Sequence, residues 1–466
     1  MRPPKLSPVA LSPAGTLLAG LLLALSGCAP HIPDRPAAAS VEAPAAWRTA
    51  FAANPQVEGN WWAGFGDPQL VALLEQARAH NSDVAIAVAR VEEARAQERA
   101  ARGVLLPSLN LAAPASYGRS LTALGVPVEA TVAQPQFQAS YELDLFGRNR
   151  AQIDAAAAGS LASDAARQAT VLAVTSATAS GYVTLLALDE RLELLRQTLA
   201  SRSDALRIAR SRAEAGYTSQ LELRQAEAEF HATEQQIPVV ETARTRQENA
   251  LSLLIGAVPG EIARGARFES LQRPAVPAVL PSQLTARRPD IVQAEYALAA
   301  SDAKLRVAQR QFLPQVQLTA AIGEVMGSSL RDNVDVWSIG GSILAPIFAG
   351  GRLRGQFDAA TAQRDQAAFG YQRAVLSAFR EVEDQLAIIA RLDEQERALD
   401  AQRTAVADSL RHATNRYRAG YATYLEQVDA QRVLLSVDIA LIQLRTDRLT
   451  ATIALYQALG GSPASS

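Results

Sequence analysis

The chain has 466 residues, of which 48% are hydrophobic, 20% charged and 5% aromatic, with a formal net charge of −2. That balance describes a folded protein written largely in helix formers, without the positive field that nucleic-acid binding needs. The single cysteine, Cys28, excludes an internal disulfide framework and CxxC chemistry. The four histidines (His31, His80, His231, His412) are scattered without metal-ligand spacing, so no metal site is expected. No GxSxG, P-loop or HExxH arrangement organises the abundant Ser, Asp and Glu, so no enzyme activity and no cofactor are expected.

Taken in order, Arg2 and Lys5 precede an apolar run from Leu17 to Leu25, followed by Leu25-Ser26-Gly27-Cys28. This is the layout of a secretory signal, too short for a spanning helix. Its ending resembles a bacterial lipobox. That resemblance implies removal of residues 1–27, a covalent lipid on Cys28, and a lipid-anchored segment over 28–66. Ala29, where an Asp would retain the protein at the inner membrane, implies sorting to the outer membrane. Removing 1–27, which holds two basic groups and no acidic one, leaves a net charge of −4. No later stretch supplies 18 consecutive apolar residues. Spanning by the mature chain must therefore use strands, because only helices and closed barrels satisfy the backbone in lipid.

The remainder is written twice. At an offset of 207, Asp83, Ala87, Arg99, Leu106-Pro107 and Leu111 answer Asp290, Ala294, Arg306, Leu313-Pro314 and Leu318. Phe146-Gly147-Arg148 answers Phe348 to Arg352. At an offset of 204, Arg212 to Tyr217 answers Arg416 to Tyr421, and Gly256 answers Gly460. The boundaries expected are repeat 1 over 67–265 (hairpin about 107–146, long helices about 150–256), a Pro- and Arg-rich linker over 266–281, repeat 2 over 282–461 (hairpin about 314–348, long helices about 352–459) and a tail over 462–466.

Each repeat opens with helices. Asp67 with Pro68, Ser82 or Asp83, and Pro289-Asp290 are suitable caps and first-turn residues. Beyond Pro107 and Pro314 the period changes to two. Gln136, Gln138, Ser140, Glu142 and Asp144 alternate with Phe137, Ala139, Tyr141, Leu143 and Leu145. Gln315, Gln317 and Thr319 alternate likewise with Val316, Leu318 and Ala320. Such segments suit barrel strands with lipid outside and water inside. Soluble hairpins on a core give the same period, but Glu142 and Asp144 are tolerable in a lumen and costly against lipid. With weaker partners at Ser108 to Leu111 and Trp337 to Leu344, each chain offers four strands. Four strands cannot close a barrel, so two or more chains must pool them.

Long helices follow each hairpin, with no proline between Ala151 and Ile237 or between Ile347 and Ser462. Leu188, Leu192, Leu195 and Leu199 form a coiled-coil seam, and Leu392, Leu399 and Val406 recur every seven residues with Ile389 and Leu410 beside them. Gly216-Tyr217 and Gly420-Tyr421 interrupt the pattern as turns between antiparallel helices. A helix from about 150 to 213 would rise roughly 95 Å.

Several landmarks resemble the outer membrane factors of tripartite efflux systems, in the lipoprotein branch serving resistance-nodulation-division pumps. They are Trp61-Trp62-Ala63-Gly64-Phe65-Gly66-Asp67-Pro68, Leu143 to Arg148, Arg288-Pro289-Asp290-Ile291, Phe312-Leu313-Pro314, and Pro346-Ile347-Phe348 with Gly350-Gly351-Arg352. The resemblance implies a mainly α fold with a membrane β-barrel part. Tandem-duplicated protomers contribute four strands and long coiled-coil helices each to a trimeric β-barrel plus α-helical tunnel. It implies a homotrimer in the outer membrane of a Gram-negative bacterium that reaches into the periplasm. Its partners would be a membrane fusion (adaptor) protein and an inner-membrane pump, and it would passively export small molecules such as drugs. Leu425, Asp429 and Arg432 match the family's periplasmic gate spacing and share one helix face. The turns Arg212, Gly216, Tyr217 and Arg416, Gly420, Tyr421 would be the tips that meet the adaptor. Gln136, Gln138, Glu142, Asp144, Gln315 and Gln317 would face the lumen. The duct of a type I protein secretion system, or a poreless lipid-anchored coiled-coil scaffold, are the alternatives.

Overall fold

A computed structural model describes residues 29–49, 61–121, 125–276, 279–328 and 332–461; Cys28, the signal segment and the tail at 462–466 lie outside them. The chain divides into two compact units. One is built from residues up to Ser40, Val91–Ser163 and Ala294–Gln372, the other from Val41–Arg90, Asp164–Gln293 and residues from Arg373 on.

The two halves unfold the same order of elements. In the first, α1 (Pro68–His80) and α2 (Ser82–Gly103) lead to β1 (Ser108–Ala112), β2 (Ala115–Leu121), β3 (Pro127–Ala133) and β4 (Gln136–Leu143), then α3 (Arg148–Glu214), α4 (Gln220–Glu234) and α5 (Gln236–Leu254). In the second, α6 (Pro281–Arg287) and α7 (Pro289–Arg310) lead to β5 (Gln315–Gly327) and β6 (Val334–Leu344), then α8 (Arg352–Arg418) and α9 (Tyr424–Ala458). α2 and α7 have 22 residues each, and α3 and α8 have 67 each. A 67-residue helix is about 100 Å long.

The caps explain the boundaries. Asp67 accepts from Gln69 N at 2.8 Å with Pro68 at the first helical position. The cap of α2 is Asn81, whose Oδ1 accepts from Asp83 and Val84 N at 2.8 and 3.2 Å, rather than Ser82 or Asp83 themselves. Asn81 wins because its amide also donates to Leu254 O at 2.9 Å, holding α2 to the end of α5. α4 and α5 part at Gln235 because Pro238 cannot donate to the carbonyl four residues back. The corresponding part of α9, with Ile442 in that place, runs unbroken.

In the second unit, Trp61, Trp62 and Phe65 pack against Leu70 and Leu74 of α1, Tyr182 and Leu185 of α3, and Ile453 and Tyr456 of α9. Trp61 stacks on Tyr456 with ring centroids 4.8 Å apart. Each such large apolar side chain contributes about 1.5–3 kcal/mol on burial. The buried Tyr182 hydroxyl donates to Asp67 Oδ2 at 2.8 Å and accepts from Gly265 N at 3.0 Å, so the capping aspartate is also a core acceptor. The most apolar stretch of α3 is long enough to cross a membrane by length and composition, but more than half of it is buried within this protein. Leu192 and Leu195 of the seam pack on Val240 and Leu435. Leu392, Leu399 and Val406 of α8 stay half-buried.

In the first unit the N-terminal residues form an extended strap on α7 and α8. Gln309 donates to Pro30 O at 2.9 Å, and the buried Arg364 donates to Pro33 O and Asp34 O at 2.9 and 3.1 Å. Arg35 pairs with Asp302, and Ala39 is buried against Leu298 and Ala368.

The strands form one antiparallel meander. β1 pairs β4, β2 pairs β3, and both β3 and β4 pair β5, which pairs β6. β1–β2 and β3–β4 are two continuous strands in a single register. Each is interrupted where Pro114 or Pro135 has no N–H to donate, and Gln134 N bonds to Pro114 O across the gap at 2.9 Å. There are thus four strands, longer than the sequence signalled on the β2–β3 and β6 sides.

Candidate functional site

The register decides what each sheet face carries. Leu109, Leu111, Phe137, Ala139, Tyr141, Leu143, Val316, Leu318, Ala320, Ile322, Trp337, Ile339 and Ile343 all fall on one face. The other carries Ser108, Asn110, Gln136, Gln138, Ser140, Glu142, Gln317, Thr319, Ser338 and Ser342, with Gln315 at its base. The apolar face is uncovered: Leu109, Trp337 and Ile339 are 70%, 74% and 80% exposed. An uncovered apolar sheet of this extent is a lipid-facing surface, with its polar reverse facing water. Continued into β2 and β3, the apolar side gives way to Arg119 and Glu129, 3.8 Å apart, where Tyr117 also donates to Glu129. Neither β1–β2 nor β6 has a partner on its far side among the described residues.

Two expected lumen residues have other employment. Asp144 accepts from Asn149 N and Arg150 N at 3.0 and 2.9 Å, so it satisfies the free donors at the start of α3. Glu142 lies on the polar face, yet Arg148 holds both its oxygens at 2.8 and 2.7 Å. Gly147, between them, has φ +76, and its carbonyl accepts from both Ala151 N at 2.9 Å and Arg310. Strand-to-helix turning therefore consumes both acids. The Gln and Ser side chains remain as the wet wall.

The two helical turns are alike. Tyr217 N bonds Arg212 O at 2.8 Å and Gly216 N bonds Ala213 O at 3.1 Å; Tyr421 N and Gly420 N bond Arg416 O and Tyr417 O at 2.9 and 3.1 Å. This double pattern requires a left-handed residue, and Gly216 and Gly420 supply it at φ +74 and +80. Tyr217 and Tyr421 project, 84% and 80% exposed. Arg212 does not join them. Its guanidinium lies over the Tyr417 ring, 5.6 Å from the centroid, and donates to the Tyr417 hydroxyl at 3.3 Å. Burial, reinforced by the Glu222 carboxylate that the hydroxyl bonds, pushes Tyr417 up to about 12. Arg212 is thus a tie between the two turns, while Arg416 stays exposed, 3.7 Å from Glu426.

Leu425, Asp429 and Arg432 are all exposed on one face of α9. Arg432 reaches Asp429 at 3.4 Å, but its main partner is Glu229 of α4, with Nε 2.7 Å from Oε1. Glu229 is itself buried and shared with the buried Arg202 of α3 at 3.0 Å. Arg202 also donates to Glu229 O and Thr233 Oγ1 at 2.8 and 2.5 Å. Burial pulls the Arg202 guanidinium below its ordinary range against the pull of Glu229, whereas the Glu229 hydrogen bond raises Arg432. A chain of alternating charges, Arg202–Glu229–Arg432–Asp429, runs from the core to the exposed face and ties three helices together. Sequence reasoning missed its two buried members. The signal available was an Arg and a Glu at apolar positions of two helices.

Among the described residues no three His, Cys, Asp or Glu side chains are grouped to hold a metal ion.

Residues 73–257 and 280–461 match the model of the outer membrane efflux protein family, one segment in each half of the chain. The chain belongs to this family. It is 33% identical over 454 residues to the pyoverdine export outer membrane protein OpmQ of Pseudomonas aeruginosa, covering 95% of each chain. It is 30% identical over 415 residues to the cation efflux system protein CusC of Escherichia coli, covering 88% of this chain and 90% of that one. Among solved structures it resembles the outer-membrane channel OprN with a TM-score of 0.84 at 27% identity, over 91% of this chain and 98% of that one. Against CusC the TM-score is 0.82 at 29% identity, over 93% and 100%. The architecture is therefore that of the outer-membrane efflux channels, with the meander as its barrel part and the long helices as its tunnel part. The protein is an efflux channel of the outer membrane that extends into the periplasm. As a channel of this family it belongs with conduits rather than enzymes.

Proposed function

We propose that the channel works as a homotrimer anchored through a lipid on Cys28, passively carrying small molecules delivered by an inner-membrane resistance-nodulation-division pump through a periplasmic adaptor. The observation that carries this reading is the four-stranded meander with one uncovered apolar face, one polar face and two unpaired edges. Three copies bring twelve strands, enough to close a barrel, and closure satisfies both edges. Antiparallel order is kept at the new seams because each protomer brings an even number of strands. The exposed Tyr217, Tyr421 and Arg416 are the adaptor-facing tips. Leu425, Asp429 and Arg432 form the constriction, with Leu425 as the dry ring and Arg432 as the clasp held by Glu229.

Susceptibility of a deletion strain to dyes, detergents, antibiotics, solvents and metal salts, against the complemented strain, tests the efflux role and sorts its cargo. Sensitisation to several unrelated small molecules is the expected result. Unchanged susceptibility with loss of a secreted protein would overturn it in favour of a protein-secretion duct. In planar bilayers, Arg432→Ala should raise the conductance of the closed channel, and Asp429→Ala should raise it less because Glu229 is the nearer partner. Equal conductance of wild type and the Asp429→Ala, Arg432→Ala double variant would remove the gate assignment.

A further inference from the structure

A groove of about 900 Å³ opens between α2, α3 and α7. Each helix lines it with one stripe at helical spacing, including Gln97 of α2, Gln152 and Ser160 of α3, and Lys304 and Gln311 of α7. The intervening alanines and Gly159 are too small to fill it. Lys304 is the one charged residue in its lining, and it is the chain's one lysine beyond residue 27. It is exposed; Asp302, Glu98 and Asp154 of the same helices pair with Arg35, Arg102 and Arg306, while Glu93 accepts from Gln97 Nε2 at 3.1 Å and Glu98 also bonds Ser160. Among the described residues it makes no ion pair.

The orientation of the groove follows from the strap. The strap lies on α7 at Leu298, Asp302 and Gln309, whereas the groove takes Ala300, Lys304, Val307 and Gln311. A step of two residues turns an α-helix by about 200°, so the two sets occupy opposite faces. The strap leads back to Cys28, and a lipid-bearing residue belongs on the outside of the assembly. With the lipid anchor proposed at Cys28, the groove therefore faces the conduit.

We propose that Lys304, with the amides of Gln152 and Gln311, forms an anion-binding subsite in the channel wall that takes small organic anions bearing carboxylate or phosphate groups. The proposal rests on the channel reading above and names a cargo class for it. An ammonium in a lining that holds no carboxylate of its own concentrates anions, and symmetry would repeat it around the conduit as a cationic ring. A single flexible lysine holds an anion weakly enough to release it onward, which conduction requires.

The full-length lipoprotein is reconstituted in planar bilayers, with citrate, a trivalent carboxylate, added on the barrel side. Wild type should be blocked by citrate. Half-block should need roughly tenfold more in Lys304→Gln, the effect of losing a hydrogen bond to a charged group, while Lys304→Arg should keep it. Under a KCl gradient, Lys304→Glu should shift the reversal potential toward cation selectivity. Lys304→Cys should lose conductance on treatment with a charged, membrane-impermeant thiol reagent. Equal citrate block and equal reversal potential in wild type and Lys304→Gln would overturn the subsite, as would an unreactive Lys304→Cys. Absence of any conductance in wild type would instead count against the channel reading itself.

Discussion

Replacing Glu229 by alanine removes the carboxylate shared by the buried Arg202 and the exposed Arg432. Side-chain exposure is 5% for Arg202 and 7% for Glu229, but 55% for Arg432, so the two halves of the bridge have different worth. Stranding Arg202 leaves a buried guanidinium with only Thr233 Oγ1 and a backbone carbonyl as acceptors. Breaking such a buried pair costs about 3–5 kcal/mol, and losing the exposed Arg432 contact adds no more than about 1 kcal/mol. The penalty falls on the local packing of α3, α4 and α9. Hydrogen exchange of the α4 amides should therefore accelerate by two orders of magnitude or more, at about 1.4 kcal/mol per tenfold. Arg432→Ala leaves Glu229 paired with Arg202 and should accelerate exchange by no more than about fivefold. If the Arg432 variant equals or exceeds the Glu229 variant, the buried half of the bridge is not what secures these helices.

Three further outcomes are expected. Burial, and then the nearby Glu269, hold Glu190 above the usual carboxylate range, so the native state binds its proton more tightly than the unfolded chain does. That makes ionised Glu190 a cost at neutral pH, relieved as pH falls through the raised value toward the ordinary one; Glu190→Gln should melt higher than wild type at pH 7.5 and alike near pH 4. Tyr182→Phe strips a donor from Asp67 and an acceptor from Gly265 N inside the core, and should destabilise by about 1–3 kcal/mol in thermal melts. A Cβ at Gly420 meets nothing within 4 Å, so Gly420→Ala tests backbone conformation alone. At φ +80 it should cost about 1–2 kcal/mol, read as faster proteolytic nicking at that turn.

The parts legible in the sequence are those governed by local period. Alternation over Gln136 to Leu145 gave the strand faces, and the two Gly-Tyr turns appeared where the helical seams break, because a left-handed residue after a helix has few alternatives to glycine. What escaped depends on chain segments far apart. Glu229 and Arg432 stand 203 residues apart and occupy non-equivalent places in the two repeats, so neither spacing nor duplication pairs them. Asp144 reads as a pore acid by alternation, and only the position of the first turn of α3 shows it bonded to Asn149 and Arg150. The strap is polar and irregular, and its place is set by the buried Arg364, whose need for carbonyl acceptors no local pattern announces.

The central claim is that separate copies close one barrel through their free strand edges. β1–β2 and β6 lie at opposite edges of the four-stranded sheet, three strand spacings or roughly 14 Å apart, too far for a disulfide within one chain. Ile343→Cys is combined in turn with Leu109→Cys, Leu111→Cys and Ala113→Cys, and with Ser108→Cys, Asn110→Cys and Ala112→Cys, in membranes under oxidising conditions. Closure predicts a covalent species of three protomers from at least one member of the first set, whose side chains share the outer face with Ile343, and none from the second. Monomers throughout, or cross-linking indifferent to face, would contradict it.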